Sequence, residues 1–167
     1  VSSTRIRQAI LEGKMDEASR MLGRRFCLRL KVEHGNCIGR LLDFPTINQS
    51  FPQHHIVPRY GVYSTVVNVA GKLYGGVTNV GVKPTVGSDR PLSETYILDY
   101  SGDLYGQTVE VYFFRFVRPE QKFGSIAELK EQIARDKEDV AQEVAQNIEQ
   151  MLFLDSRAQE PAIFEKI

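Results

Sequence analysis

From Arg24 to Val117 there are segments in which apolar residues recur at every second position, most of them too closely spaced to be joined by crossover helices. Phe26, Leu28, Leu30 and Val32 alternate with Cys27, Arg29, Lys31 and Glu33, the pattern of a strand with one buried face. Similar strands are predicted over residues 62–69, 73–80, 94–100 and 108–117. Ala70-Gly71 stands at hairpin distance between two of them, and Ser101-Gly102-Asp103 separates another pair. The sheet is therefore expected to be antiparallel. About six short strands, Gly-rich connections and two partly apolar faces favour a mainly β fold, a small closed six-stranded antiparallel Greek-key barrel, over an open sheet with bare edges.

Helical periods flank this region. Over residues 2–22, Ser2, Ser3 and Thr4 offer an N-cap, Ile6, Ala9, Ile10 and Leu11 form a short apolar stripe, and Gly13 is a natural stop. Asp16 can cap a second short helix through Ala18, Met21 and Leu22, ended by Gly23. Helices this short must pack on something to be stable. From Ser125 the stripe Ile126, Leu129, Ile133, Val140, Val144, Ile148 and Leu152 predicts a long helix, with Ser125 and Glu128 as a capping box. Its gap at Asp136 and Lys137 reads as a bend or as the point where the helix leaves the barrel. The expected organisation is a helical segment at 1–22, a barrel with its helix at 23–150, and a tail at 151–167.

A length of 167 residues suits one domain with a small appendage. Lys and Arg total 21, as do Asp and Glu, a balance that argues against a dedicated nucleic-acid binder. No apolar run approaches the roughly 20 residues needed to cross a bilayer, and no secretory leader is visible. Cys27 and Cys37 make no disulfide framework and read as reduced thiols of a cytoplasmic protein. The start at Val1 instead of Met reads as a fragment of something longer.

The chemistry gathers in glycine-rich and polar segments. His34-Gly35-Asn36-Cys37-Ile38-Gly39-Arg40 combines glycines, which let backbone N–H groups approach phosphate oxygens, with an arginine. In Phe44-Pro45-Thr46-Ile47-Asn48, Thr46 and Asn48 are two apart, so an extended segment points both to one face. A hydroxyl and an amide carbonyl are hard oxygen ligands suited to a magnesium ion already held by nucleotide phosphates. On spacing alone the simpler reading is a turn followed by a strand, with Thr and Asn satisfying backbone groups. Glu94 shares a face with Tyr96 and Leu98, where a carboxylate needs a partner or a catalytic use such as general base. A solvated Glu at a strand edge is the alternative. Residues 79–87 read as a long polar loop, the adjacent His54 and His55 as surface residues, and Tyr112, Phe113, Phe114 and Phe116 as core.

These pieces together resemble the riboflavin kinase module, in particular the C-terminal half of bacterial bifunctional riboflavin kinase/FMN adenylyltransferases. The resemblance runs from about Leu22 to Asp136. It is carried by His34-Gly35 with Gly39-Arg40, Phe44-Pro45-Thr46-Ile47-Asn48, Gly61-Val62-Tyr63, Asn79-Val80-Gly81, Pro84-Thr85, Glu94-Thr95, Asp103-Leu104-Tyr105-Gly106, and Arg118-Pro119-Glu120 with Lys122-Phe123, in the family's order and spacing. Val1 to Arg7 resembles the last nucleotide-binding motif of the adenylyltransferase half, whose histidine-bearing motif is absent.

The resemblance implies a riboflavin kinase-like barrel that transfers the ATP γ-phosphate to the ribityl 5′-hydroxyl of riboflavin, giving FMN and ADP. It places magnesium on Thr46 and Asn48 and makes Glu94 the catalytic base. It places ATP at Gly35, Gly39, Arg40, Pro45, Thr46, Asn48, Ile97, Asp99 and Tyr105, and the flavin at Arg118, Gln121 and Phe123. It further implies an N-terminal FMN adenylyltransferase domain in the longer protein, which would make FAD from FMN. Asp43, Ile47 and Gly124 depart from the family pattern, the last leaving Ser125 to cap the helix. A non-catalytic flavin- or nucleotide-binding regulatory barrel is the alternative, against which the intact Thr46, Asn48 and Glu94 set speaks. An oligonucleotide-binding barrel is disfavoured by the neutral charge.

Overall fold

The computed structural model describes residues 2–35, 44–82 and 89–155, with side chains as far as 146. Among the described residues three helices and six strands follow in the order α1 (Ser3–Leu11), α2 (Met15–Leu22), β1 (Phe26–Lys31), β2 (Thr46–Ser50), β3 (Gly61–Val69), β4 (Lys72–Val82), β5 (Pro91–Ile97), β6 (Thr108–Arg118) and α3 (Ile126–Asp155).

All ladders are antiparallel, and the spatial order is β1-β6-β3-β4-β5-β2. β2 returns beside β5 of the β3-β4-β5 meander, which is a Greek key. The sheet curls into a half-barrel and does not close fully. Between its end strands the described residues make one isolated bridge, Glu33 to Asn48, where the Glu33 N–H donates to Asn48 O at 2.8 Å. Gln49 supplements this bridge from inside. It is fully buried, and its Nε2 donates to Leu30 O at 2.8 Å and to Val109 O at 3.0 Å, fastening β2 to β1 and β6. The expected closed barrel is corrected to that extent.

The hairpin at Ala70-Gly71 holds, with both residues at positive φ (49° and 87°). Ser101-Gly102-Asp103 joins β5 to β6, which are not neighbours in the sheet. β5 ends at Ile97, three residues before the expected limit, because the chain turns at Asp99 (φ 55°). Asn79 to Val82 belong to β4, so the expected loop begins only after Val82 and its remainder lies outside the described residues.

The interior is apolar at Phe26, Leu28, Tyr63, Val67, Val80, Val111 and Phe113, and α1 and α2 add Ile6, Ala9, Ile10, Met15 and Ala18 to the same core. A line of hydroxyls crosses it: Thr78 Oγ1 lies 2.8 Å from both Thr65 Oγ1 and Thr95 Oγ1. Ser2 caps α1 by accepting from the Arg5 N–H, and Gly23 ends α2 at φ 72°. Lys14, not Asp16, occupies the N-cap of α2; Asp16 instead pairs with Arg25 at 2.7 Å.

The outer face carries a second cluster, in which Val140 and Val144 of α3 pack on Val66, Leu98 and Phe114. Gly75 permits this approach, since a Cβ there would sit 2.9 Å from Leu98 Cδ1 and 3.1 Å from Val144 Cγ2. Ser125 caps α3 by accepting from the Glu128 N–H at 3.2 Å, while the Glu128 carboxylate accepts from Gly124 N–H at 2.9 Å. Ile126, counted in the apolar stripe, is 71% exposed. α3 is continuous through Asp136 and Lys137, and Val140 and Val144 beyond them still pack on the sheet, so the gap is no exit point; the helix extends to Asp155, into the expected tail.

Candidate functional site

Pairing registers place the candidate residues in one row across the outer face. Asn48 on β2 lies opposite Glu94 on β5, Glu94 opposite Asn79 on β4, Asn79 opposite Val62 on β3, and Val62 opposite Arg118 on β6. Directly paired residues share a face, so Glu94 has an asparagine on each side. The next row runs Thr46, Tyr96, Val77, Ser64. Thr46 and Asn48 therefore do share a face, as their spacing predicts, and Glu94 stands between the rows' polar members.

The oxygens in this patch are withdrawn from solvent. Asn79 Oδ1 and Ser64 Oγ are buried with no hydrogen-bond partner among the described residues, and Glu94 Oε1 is buried beside them. Leaving buried oxygens such as those of Asn79 and Ser64 unmet costs about 1–3 kcal/mol each. Asn48 and Asn79 can also donate N–H groups to a carboxylate or to phosphate oxygens.

The segment after β1 is laid against β2. Glu33 pairs with Asn48 through the backbone and its Oε2 accepts from Ser50 Oγ at 2.6 Å. Two residues on, Gly35 has no room for a Cβ, which would coincide with the Asn48 side-chain amide. His34 stacks on Tyr105, ring centroids 3.4 Å apart at 17°. Gly35, Asn48 and Tyr105 thus meet at one corner. Gly39 and Arg40, and with them Cys37 and Asp43, lie outside the described residues.

At the other end of the row, Arg118 is held by Asp136: Nη2 donates to Oδ2 at 2.8 Å and Nε to Oδ2 at 3.1 Å. Its guanidinium carbon stands 5.8 Å from the Phe123 ring centre. Gln121 is exposed nearby in sequence, with Phe123 half-buried. Ile97 is buried in the core, so only its backbone can meet a nucleotide, whereas Asp99 and Tyr105 are exposed. His54 is exposed, but His55 is half-buried, its Nδ1 2.9 Å from Ile56 O, a correction to the surface reading.

Sequence reasoning did not single out the contacts of Asp136 and Lys137, and it gave Asn79 both to a strand over 73–80 and to a loop over 79–87, whereas it lies within β4. Charges interrupting an apolar stripe mark a buried ion pair as readily as a bend, and Asp136 makes one with Arg118, though the stripe does not say with which cation.

Among the described residues no three of His, Cys, Asp and Glu gather as a metal cage. The oxygens of Thr46, Asn48 and Glu94 form a hard donor set of the kind that shares a cation with phosphate oxygens and water, so the residues fit such an ion.

The riboflavin kinase family model matches residues 22–144 of this chain. The chain belongs to the riboflavin kinase family. The bifunctional riboflavin kinase/FMN adenylyltransferase of Listeria monocytogenes is 37% identical over 140 residues, covering 83% of this chain and 45% of that protein. The chain thus spans less than half the length of such curated relatives. The riboflavin kinase of Trypanosoma brucei, 22% identical with a TM-score of 0.53, covers 84% of this chain and 94% of that one and shares the fold. A macrolide-efflux protein from Streptococcus pneumoniae is similar over 84% of this chain and 46% of its own, at 37% identity and a TM-score of 0.78. No helix of the described residues here is long and apolar enough to cross a membrane.

Proposed function

We propose that this riboflavin kinase-family chain transfers the γ-phosphate of ATP to the ribityl 5′-hydroxyl of riboflavin, yielding FMN and ADP. The observation that carries this reading is the placement of Glu94 between Asn48 and Asn79, one row from Thr46. Phosphoryl transfer needs positioning, charge neutralisation and one base, and little covalent chemistry from the protein.

In this reading Glu94 takes the 5′-hydroxyl proton as that oxygen forms its bond to the γ-phosphorus. The bond from the γ-phosphorus to the bridging oxygen breaks, and ADP leaves with the electron pair. Asn48 and Asn79 flank the carboxylate and hold its direction. Thr46 Oγ1 and Asn48 Oδ1 would hold a magnesium ion, which when bound neutralises charge on the transferring phosphate. Gly35 brings backbone against the phosphate corner, with Pro45 leading into β2. Gly39 and Arg40 would complete the anion site, and Ile97 (through its backbone), Asp99 and Tyr105 would receive the rest of ATP. Arg118, Gln121 and Phe123 would line the flavin end.

For the longer protein we propose an FMN adenylyltransferase domain and FAD synthesis, as the names of the relatives state for those proteins. Residues 1–22 would then derive from that half, although their helices pack in the barrel's own core. A cytoplasmic setting is part of the same proposal, in keeping with the bifunctional enzymes this chain is similar to.

The test is incubation with riboflavin, ATP and magnesium followed by separation of flavins. FMN formation is expected. Tight riboflavin binding without FMN would select a binding barrel instead.

A further inference from the structure

Asp136 and Lys137 are consecutive on α3, yet neighbouring residues diverge by about 100° around a helix, so their side chains leave in different directions. Each reaches a different end of the site. Asp136 is 2% exposed, a costly place for a carboxylate unless it is fully partnered. Besides the paired Arg118 guanidinium it accepts from Gln132 Nε2 at 3.0 Å, and Arg118 Nη1 donates to Pro119 O at 3.2 Å. The guanidinium is therefore fixed in orientation beside Phe123.

Lys137 makes the second contact. Its Nζ stands 5.2 Å from the Tyr96 ring centre and 5.9 Å from that of Phe44, within reach of a cation–π attraction to both. The two rings meet edge to face at 5.5 Å. Phe44 leads into Pro45 and Thr46, and Tyr96 is the cross-strand partner of Thr46. One turn of α3 thus grips Arg118 on one side and the frame of Thr46 on the other.

We propose that Asp136 and Lys137 are positioning residues forming a two-headed brace, through which α3 couples riboflavin binding at Arg118 to nucleotide binding at Thr46. The proposal rests on the kinase reading above. Neither residue needs to touch a substrate: Asp136 acts through Arg118 and Phe123, Lys137 through Phe44 and Tyr96. A ligand that settles α3 against one end removes part of the ordering needed at the other, and by linkage the effect is reciprocal.

The experiment is calorimetric titration of riboflavin into the chain with and without saturating magnesium–ADP, which is not turned over. The parent should bind riboflavin roughly fivefold or more tightly with the nucleotide present. Lys137→Met should bring that ratio to within about twofold of unity at nearly unchanged melting temperature, and Lys137→Arg, which keeps a cation over both rings, should restore it. Asp136→Asn should weaken riboflavin binding at least about tenfold. Because that variant strands a guanidinium and can unfold, Lys137→Met is the deciding substitution. A ratio unchanged in Lys137→Met, or absent in the parent, overturns the brace. FMN formation by the parent with coupling intact in Lys137→Met sinks the brace alone; coupling lost in that variant without any FMN from the parent sinks the kinase reading alone.

Discussion

Gly35 lies so close to Asn48 that the side-chain amide of the asparagine occupies the space a Cβ would need. The glycine is therefore part of what aims Asn48. Gly35→Ala should displace that amide and reduce catalytic efficiency with ATP by about tenfold or more, a loss on the order of 1.4 kcal/mol. The melting temperature should change by only a few degrees, since the residue is exposed. Steady-state kinetics and thermal melts on one preparation check both; full activity in the alanine variant would mean Asn48 needs no such support.

Thr46→Ala and Asn48→Ala each remove a hard oxygen from the same face of β2. Each should lower kcat/KM for magnesium–ATP by at least about tenfold and leave riboflavin affinity in the absence of nucleotide nearly unchanged. Chelation of divalent ions should stop FMN formation, and added magnesium should restore it. Unfolding of the variants, or normal ATP kinetics, would assign the pair to structure.

Glu94→Gln keeps the shape and much of the hydrogen bonding of the residue between Asn48 and Asn79 while removing its basicity. A positioned base contributes about 10²–10⁴-fold, and kcat should fall by that range with the fold and both affinities retained. The competing role is that of a structural partner for Arg40 or Arg118, the latter of which is paired with Asp136; in that role the Gln variant should lose thermal stability and keep its kcat. A stable variant with parental kcat would remove Glu94 from the mechanism.

Tyr63 is fully buried, and its hydroxyl donates to Arg59 O at 2.6 Å. Burial pushes its phenol well above the ordinary value of about 10. The native state thus keeps its proton where the unfolded chain releases it. Stability from this group is complete below pH about 10 and is lost above it, at about 1.4 kcal/mol per pH unit. Tyr63→Phe should cost about 1 kcal/mol at pH 8 through the lost hydrogen bond, and the two stability curves should converge toward pH 11. Urea titrations from pH 8 to 11 measure this; parallel curves would show that Tyr63 does not titrate with unfolding.

Alternation was legible where one strand face is apolar. Phe26, Leu28 and Leu30 announce β1, and Tyr63 and Val67 of β3 enter the same core. At β5 it set both limits three residues too late, since the inward Ser93 and Thr95 are polar and buried. Thr95 finds its hydroxyl partner on another strand, at Thr78, and no local pattern encodes such a partner. Asp136 was obscure for the same reason, its cation being 18 residues away on β6. The Thr46, Asn48 and Glu94 set was legible from spacing and resemblance, but the row that unites it with Asn79 depends on register across three strands. The incomplete closure was equally hidden, because it turns on the side chain of Gln49 reaching across to Leu30 and Val109.

β2, which carries Thr46 and Asn48, has a full ladder only toward β5; on its other side the described residues offer the Glu33 bridge and the Gln49 amide. A strand so held opens at lower cost than β3 or β4, each of which is enclosed by two ladders. On gentle warming, β2 should peel from the seam while the rest of the sheet stays folded. The protein would then lose its reactive face before it melts, and on cooling regain it by re-zipping one strand, without passing through the unfolded chain.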